Sequence, residues 1–179
     1  MAARGSKSRG AWGKSARQER GRSERIDTLP AVAKVVVGAA IVRSGALLAA
    51  QRSYPHQLAG YWELPGGQVE PGEAEPDALR RECREELDVD VHIGHHVGDA
   101  NLPGGSVLRI YAAALTDPAR EPVAREHAAL RWITSDALDD VDWLPGDRVL
   151  LPRLHALLAS DGGGDGLNVP RTNQRRPGG

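Results

Sequence analysis

Residues 62–91, WELPGGQVEPGEAEPDALRRECREELDVDV, constrain this chain more than any other stretch. A loop holding Leu64-Pro65-Gly66-Gly67 and Pro71-Gly72 runs straight into one amphipathic helix, expected over residues 76–87, with Pro76 suited to its first turn. Paired glycines leave backbone amides and carbonyls bare enough for a ligand to approach closely. At about 100° per residue, Leu79, Cys83 and Leu87 make one apolar stripe that must pack on something. Glu82, Glu85 and Glu86 share a separate arc of about 100°, because spacings of three and four set side chains next to each other. Like charges so placed cost roughly 0.2–0.5 kcal/mol per pair in an isolated helix. Arg81 can relieve Glu85 and Asp77, and Arg84 can pair with Asp88; nothing in the helix relieves Glu82 and Glu86. Such an arc alone is an ordinary solvated acidic face. A glycine loop leading directly into it favours a second reading, a site for hard divalent cations with oxygen ligands.

Around this segment, periodicity gives alternating elements. Residues 33–42 (AKVVVGAAIV) read as a buried strand and 46–52 as a second, with a turn at Ser44-Gly45. Residues 89–98 and 106–116 are strands parted by Pro103-Gly104-Gly105, and 129–133 is a short one. Ser135 is expected to cap a short helix over 136–139, and Asp147 to cap a final helix over 148–159. Mixed strands with helices on both sides predict an α/β class, an α/β sandwich. No internal repeats are present.

Charge is unevenly spread. Residues 1–28 carry eight Lys/Arg and three Asp/Glu, whereas 29–160 carry 12 and 19, so an acidic body of −7 bears basic ends. That balance does not suit unaided nucleic-acid binding and does suit a protein that holds a cation. Residues 1–30 and 161–179 are poor in aliphatic side chains and are expected to be disordered tails flanking one domain over 31–160. No apolar run is long enough to span a membrane, and the first 28 residues lack the apolar stretch of a secretory signal. A single cysteine, Cys83, excludes an internal disulfide framework and a Cys-rich zinc site, and fits a cytoplasmic location. His92, His95 and His96 form a poor zinc site, and Asp139, Asp140 and Asp142 lack the pattern of a calcium loop. Trp62 and Trp132 read as packing residues.

The 62–91 segment resembles the Nudix box. Gly67, Glu73, Arg81, Glu82, Glu85, Glu86 and Val89 stand at the spacing of that motif. Cys83 replaces its usual aliphatic residue, which a buried thiol can imitate. Asp88 replaces the glycine that ends the helix in a left-handed conformation, one that Asp tolerates better than most residues. Trp62 to Gly66, Gln51-Arg52, Glu126-His127 and Leu130 to Trp132 extend the likeness to the mutator-type (MutT-like) branch, over residues 32–158.

This resemblance implies a Nudix-type α/β/α sandwich with a mixed sheet. It also implies a Mg²⁺-dependent hydrolase, with Mn²⁺ a possible substitute, that converts a nucleoside triphosphate and water to monophosphate and diphosphate. In mutator-type relatives the water attacks the middle phosphorus. Metal ligands carried over are Glu82, Glu86, the Gly66 carbonyl, Glu85 and the loop residue Glu126. Glu82 is the first choice of general base and Glu85 a further ligand or water-positioning group. Gly67, Glu73 and Arg81 support this set from behind. Arg52 and Glu63 face the substrate, although a surface arginine and a solvated Glu126 are the plain alternatives.

Asp147 bears on the base. An ionised Asp only accepts hydrogen bonds and suits the exocyclic amine of cytosine. The sequence also resembles the cytidine-triphosphate-cleaving (CTP/dCTP pyrophosphohydrolase-like) members of the branch, so CTP, dCTP or a modified cytosine triphosphate is the substrate this resemblance implies, with oxidised dGTP as the alternative. Asp147 as a helix cap is the competing reading. A nucleotide-sugar or ADP-ribose hydrolase is disfavoured by the short chain. A catalytically silent binding module is disfavoured by the repulsive glutamate arc. No stable nucleic-acid or membrane partner is expected, and oligomeric state is left open.

Overall fold

The computed structural model describes residues 34–161. The two tails expected at 1–30 and 161–179 fall outside that range, apart from Asp161. Seven strands and three α-helices make up the described part: β1 (Val35–Arg43), β2 (Ala46–Gln51), β3 (Trp62–Glu63), β4 (Gly66–Gln68), α1 (Glu75–Leu87), β5 (Val91–Asn101), β6 (Val107–Leu115), β7 (Ala129–Thr134), α2 (Pro145–Val149) and α3 (Leu151–Asp161). Short 3-10 turns occupy Pro103–Gly105 and Ser135–Asp140.

β1 is the hub, as its unbroken apolar run requires of a strand covered on both faces. One edge pairs in parallel with β6 from Val35↔Val107 to Ile41↔Ala113. The other edge is divided between β4, at Val36–Gly38, and β2, at Val42–Arg43. β5 extends β6 antiparallel, and β2 carries β3 and β7. The sheet is therefore mixed, as expected.

Alternation along β1 sends side chains into two cores. Val37, Ala39 and Ile41 pack with Leu79, Cys83 and Leu87 of α1. Ala40 lies in the other core, with Ile110, Trp143 and Leu151, Leu154 and Leu158 of α3. One helix thus covers each face. Fully burying each such aliphatic side chain contributes ~1.5–3 kcal/mol. Burial also pushes the Cys83 thiol up to about 12, so this cysteine behaves as a core residue.

Three sequence expectations need correction. The single helix over 148–159 is two, because Pro152 lacks an N–H and its ring would clash with the carbonyl four residues back. Asp147 does not cap it: Leu144 holds the cap position of α2, and Asp147 accepts a hydrogen bond from the Leu64 N–H at 3.1 Å. Nor does Ser135 cap the turn after β7; Thr134 stands at that position, and the Ser135 hydroxyl meets His155 Nδ1 at 3.1 Å. The brief strands β3 and β4 lie inside the Pro/Gly loop, where composition reads as turn. Asp88 does adopt the left-handed conformation (φ 58°, ψ 36°), and its N–H closes α1 on the Arg84 carbonyl.

Candidate active site

α1 lies with its acidic arc over the β4 loop, and glycine makes that approach possible. A Cβ on Gly67 would intrude into the Glu82 carboxylate, and one on Gly66 (φ 150°) would strike the Val37 carbonyl oxygen. The Gly66 N–H donates to Glu86 Oε2 at 3.0 Å.

Arg81 fastens the loop to the helix. It donates to Glu73 through Nε (3.1 Å) and Nη2 (3.0 Å), and to the Gln68 carbonyl at 3.1 Å. Its Nη1 reaches Glu82 at 2.9 Å and Glu85 at 3.2 Å. Glu82 is therefore relieved within the helix after all, by its own neighbour. Asp77 takes Arg80 in place of Arg81, and Arg84 takes Asp90 in place of Asp88. Arg81 holds the Glu73 carboxyl below its ordinary value.

Burial raises Glu82 above its ordinary value, against the pull of Arg81, and the charges of Glu85 and Glu126 add to the rise. Burial also pushes Glu86 up to about 7, opposed by His127 and the Gly66 amide. Glu85 differs, with a side chain 53% exposed.

A cleft of about 160 Å³ opens beside these groups, lined by Arg52, Ser53, Tyr54, Glu63, Glu86, Glu126 and His127. Arg52, just past the end of β2, gives Nη1 to both oxygens of Glu63 (2.6 and 2.8 Å) and Nε to the Tyr54 carbonyl. Glu126 is exposed on the loop before β7, where its carbonyl accepts the Ser53 hydroxyl at 2.7 Å.

His127, which the sequence marks only through the family likeness of Glu126-His127, also stands at this site. Its side chain is buried, with Nε2 3.2 Å from Glu63 Oε1 and 3.9 Å from Glu86 Oε1. Burial works to lower its pKa, but the hydrogen bond to Glu63 and the charges of Glu86 and Glu63 outweigh it and the value is raised.

Asp147 sits behind the cleft, 5% exposed, and burial pushes it up to about 7 against the Leu64 amide.

The donor set is all oxygen, which fits a hard dication. Among the described residues no three ligating side chains are drawn together as a ready shell. Arg81, the Gly66 amide and His127 hold the carboxylates instead. A dication would answer the same excess of buried negative charge that now raises Glu82 and Glu86.

A larger hollow of about 460 Å³ lies at the far end of α1, between Arg84, Asp88, Asp90, Asp117 and Arg120. Asp88 and Asp90 there are matched by guanidinium groups, Asp117 accepts the Ala119 amide, and the hollow gathers no buried acid.

Residues 32–154 match the NUDIX domain. Over 119 residues the chain is 50% identical to a Mycobacterium tuberculosis protein that carries the provisional name 8-oxo-dGTP diphosphatase 2, covering 64% of this chain and 83% of that one. It is 36% identical to the CTP pyrophosphohydrolase of Escherichia coli over 126 residues, 70% of this chain and 93% of that one. Its fold is similar to the solution structure of the E. coli ORF135 protein (TM-score 0.61, 36% identity, 71% of this chain and 91% of that chain). It also matches the fold of a MutT protein from Methanosarcina mazei (TM-score 0.59, 21% identity, 76% and 100%).

Proposed function

The chain belongs to the Nudix family, a hydrolase family acting on nucleotides, and from that membership we propose that it cleaves a nucleoside triphosphate to monophosphate and diphosphate with Mg²⁺. Members generally need divalent metal ions. The observation that carries the reading is the convergence of Glu82 and Glu86, both raised by burial, on a glycine loop beside a cleft that also holds Arg52.

Glu82, Glu85, Glu86, Glu126 and the Gly66 carbonyl would hold the metal. Bound there, it supplies charge neutralisation between carboxylates and polyphosphate and lowers the pKa of the attacking water. The protein's own groups do the rest. Glu82 is the general base, taking a proton from the water. Arg52, whose planar guanidinium matches phosphate oxygens, meets the triphosphate, and Glu63 orients Arg52. Arg81 and Glu73 keep the loop and α1 in register. The water oxygen bonds to the middle phosphorus, and the bridging oxygen leaves with the monophosphate.

Two substrates have support. Asp147 lies buried against Leu64 behind the cleft, and its ionised form would accept the amine of cytosine, in line with the relative named CTP pyrophosphohydrolase. The 50% identical relative bears an 8-oxo-dGTP name and favours oxidised guanine. Either reaction clears a nucleotide pool, for which the cytoplasm is the fitting location.

Purified protein with Mg²⁺ and a panel of nucleotides, read by diphosphate against phosphate release, tests this. Diphosphate release is expected, with dCTP or its modified forms preferred; phosphate alone, or no product, rejects the reading. Replacing Asp147 by Asn should lower kcat/KM for dCTP relative to 8-oxo-dGTP, and an unchanged ratio removes Asp147 from base selection.

A further inference from the structure

We propose that His127 is a positioning residue, its Nε2–H donating to Glu63 while the ring stands beside Glu86, and so joining the Arg52 side of the cleft to its glutamate side; this rests on the function proposed above. His127 stands in the middle of a chain of contacts. Arg52 holds Glu63 at 2.6 Å, Glu63 faces His127 Nε2 at 3.2 Å, and Glu86 lies 3.9 Å from the same nitrogen. Glu86 then accepts the Gly66 amide at 3.0 Å. Five separate parts of the chain meet there: the end of β2, β3, the loop before β7, α1 and β4.

The ring's chemistry identifies which atom acts. Both neighbours of Nε2 are carboxylate oxygens, so Nε2 carries the proton. The other ring nitrogen, Nδ1, is buried with no hydrogen-bond partner among the described residues. A side chain only 5% exposed that leaves one polar atom unmatched is poorly explained as filler. A leucine would occupy the space without that cost. The imidazole is accounted for by its donation to Glu63 and by its place beside Glu86, between two acids whose charges act against each other. Without that donor, Glu63 loses the group opposite Arg52, and Glu86 loses the counterweight that keeps it against Gly66. Both ends of the cleft lose their setting together.

Three measurements on the full chain test this. In ¹H–¹⁵N spectra of the wild-type imidazole, a protonated, slowly exchanging Nε2 is expected, and an Nδ1–H tautomer overturns the inference. By calorimetry with Mn²⁺ alone, His127→Leu should bind about tenfold more weakly, as for loss of an outer-shell partner. Unchanged or tighter Mn²⁺ binding overturns it. In diphosphate release, His127→Leu should lower kcat about tenfold, while His127→Gln, which keeps an N–H donor, recovers most of it. A Gln variant no better than Leu reduces His127 to packing. Should His127→Leu fail to fold, the wild-type spectra and the Gln variant still decide. If wild-type protein releases no diphosphate, the proposed function fails, and the spectra and Mn²⁺ titration judge His127 independently.

Discussion

The middle and the C-terminal end of α1 both crowd carboxylates, and they settle the charge in opposite ways. At the end, Asp88 is bound by Arg120 at 2.7 Å and Arg125 at 3.1 Å, and Asp90 by Arg84 at 2.5 Å. Arg125, with Arg120, holds the exposed Asp88 carboxyl below its ordinary value. In the middle, Glu63, Glu73, Glu82, Glu85, Glu86 and Glu126 face Arg52, Arg81 and His127, and burial raises Glu82 and Glu86. The larger hollow lies at the matched end and the smaller at the unmatched one. Volume therefore does not mark the chemistry here; unmet negative charge held against bare backbone does.

The strongest way to break this contrast is to remove the charge. Glu82→Gln or Glu86→Gln should lower turnover by at least ~10²-fold with Tm retained, since each removes a positioned base or ligand. Near-normal diphosphate release by both variants would put the middle of α1 on the same footing as its end.

Next in size is Gly67→Ala. Its Cβ would displace the Glu82 carboxylate. A loss of about tenfold or more in kcat is expected, because small misplacements of a reacting group are costly. Unaltered kcat would mean that the close packing of Glu82 on the loop serves no function.

Opposite pH responses sharpen the comparison further. Asp147 is pushed up to about 7 from an ordinary 3.8, so the folded chain keeps a proton that the unfolded chain releases. Its stabilising contribution is complete below about 3.8 and is lost as pH rises through about 7. Asp147→Asn keeps an acceptor for Leu64 and should gain Tm relative to wild type as pH rises from about 4 to about 7. A constant Tm difference contradicts the burial argument. Asp88 has the other sign: its pairs contribute above the ordinary carboxylate value and fade as pH falls below it.

The smallest effect belongs to Asp88→Asn. Asparagine tolerates the left-handed conformation and gives up ion pairs that are largely screened by solvent. Thermal melts should shift slightly and kcat should not change. A large kcat loss would tie the matched end to catalysis.

Much of this was legible in sequence because it is local. The apolar stripe Leu79, Cys83 and Leu87, the glutamate arc and the strand character of β1 follow from spacing within one element, and the left-handed Asp88 from the glycine it replaces in the family motif. Sequence order hid what depends on distant partners. β3 and β4 exist because β2 and β1 offer them edges, against a loop composition. Asp147 became a buried acceptor because Leu64, 83 residues earlier, presents an unpaired amide.

Sequence alone determined that α1 carries more acid on one face than it can neutralise, since helical geometry turns spacing into proximity without help. Tertiary structure alone decided how that excess is answered: through Arg81 reaching back to Glu73, and through His127 arriving from 41 residues beyond Glu86 to stand beside it. The interaction between charges falls off with distance in space, and only folding sets that distance.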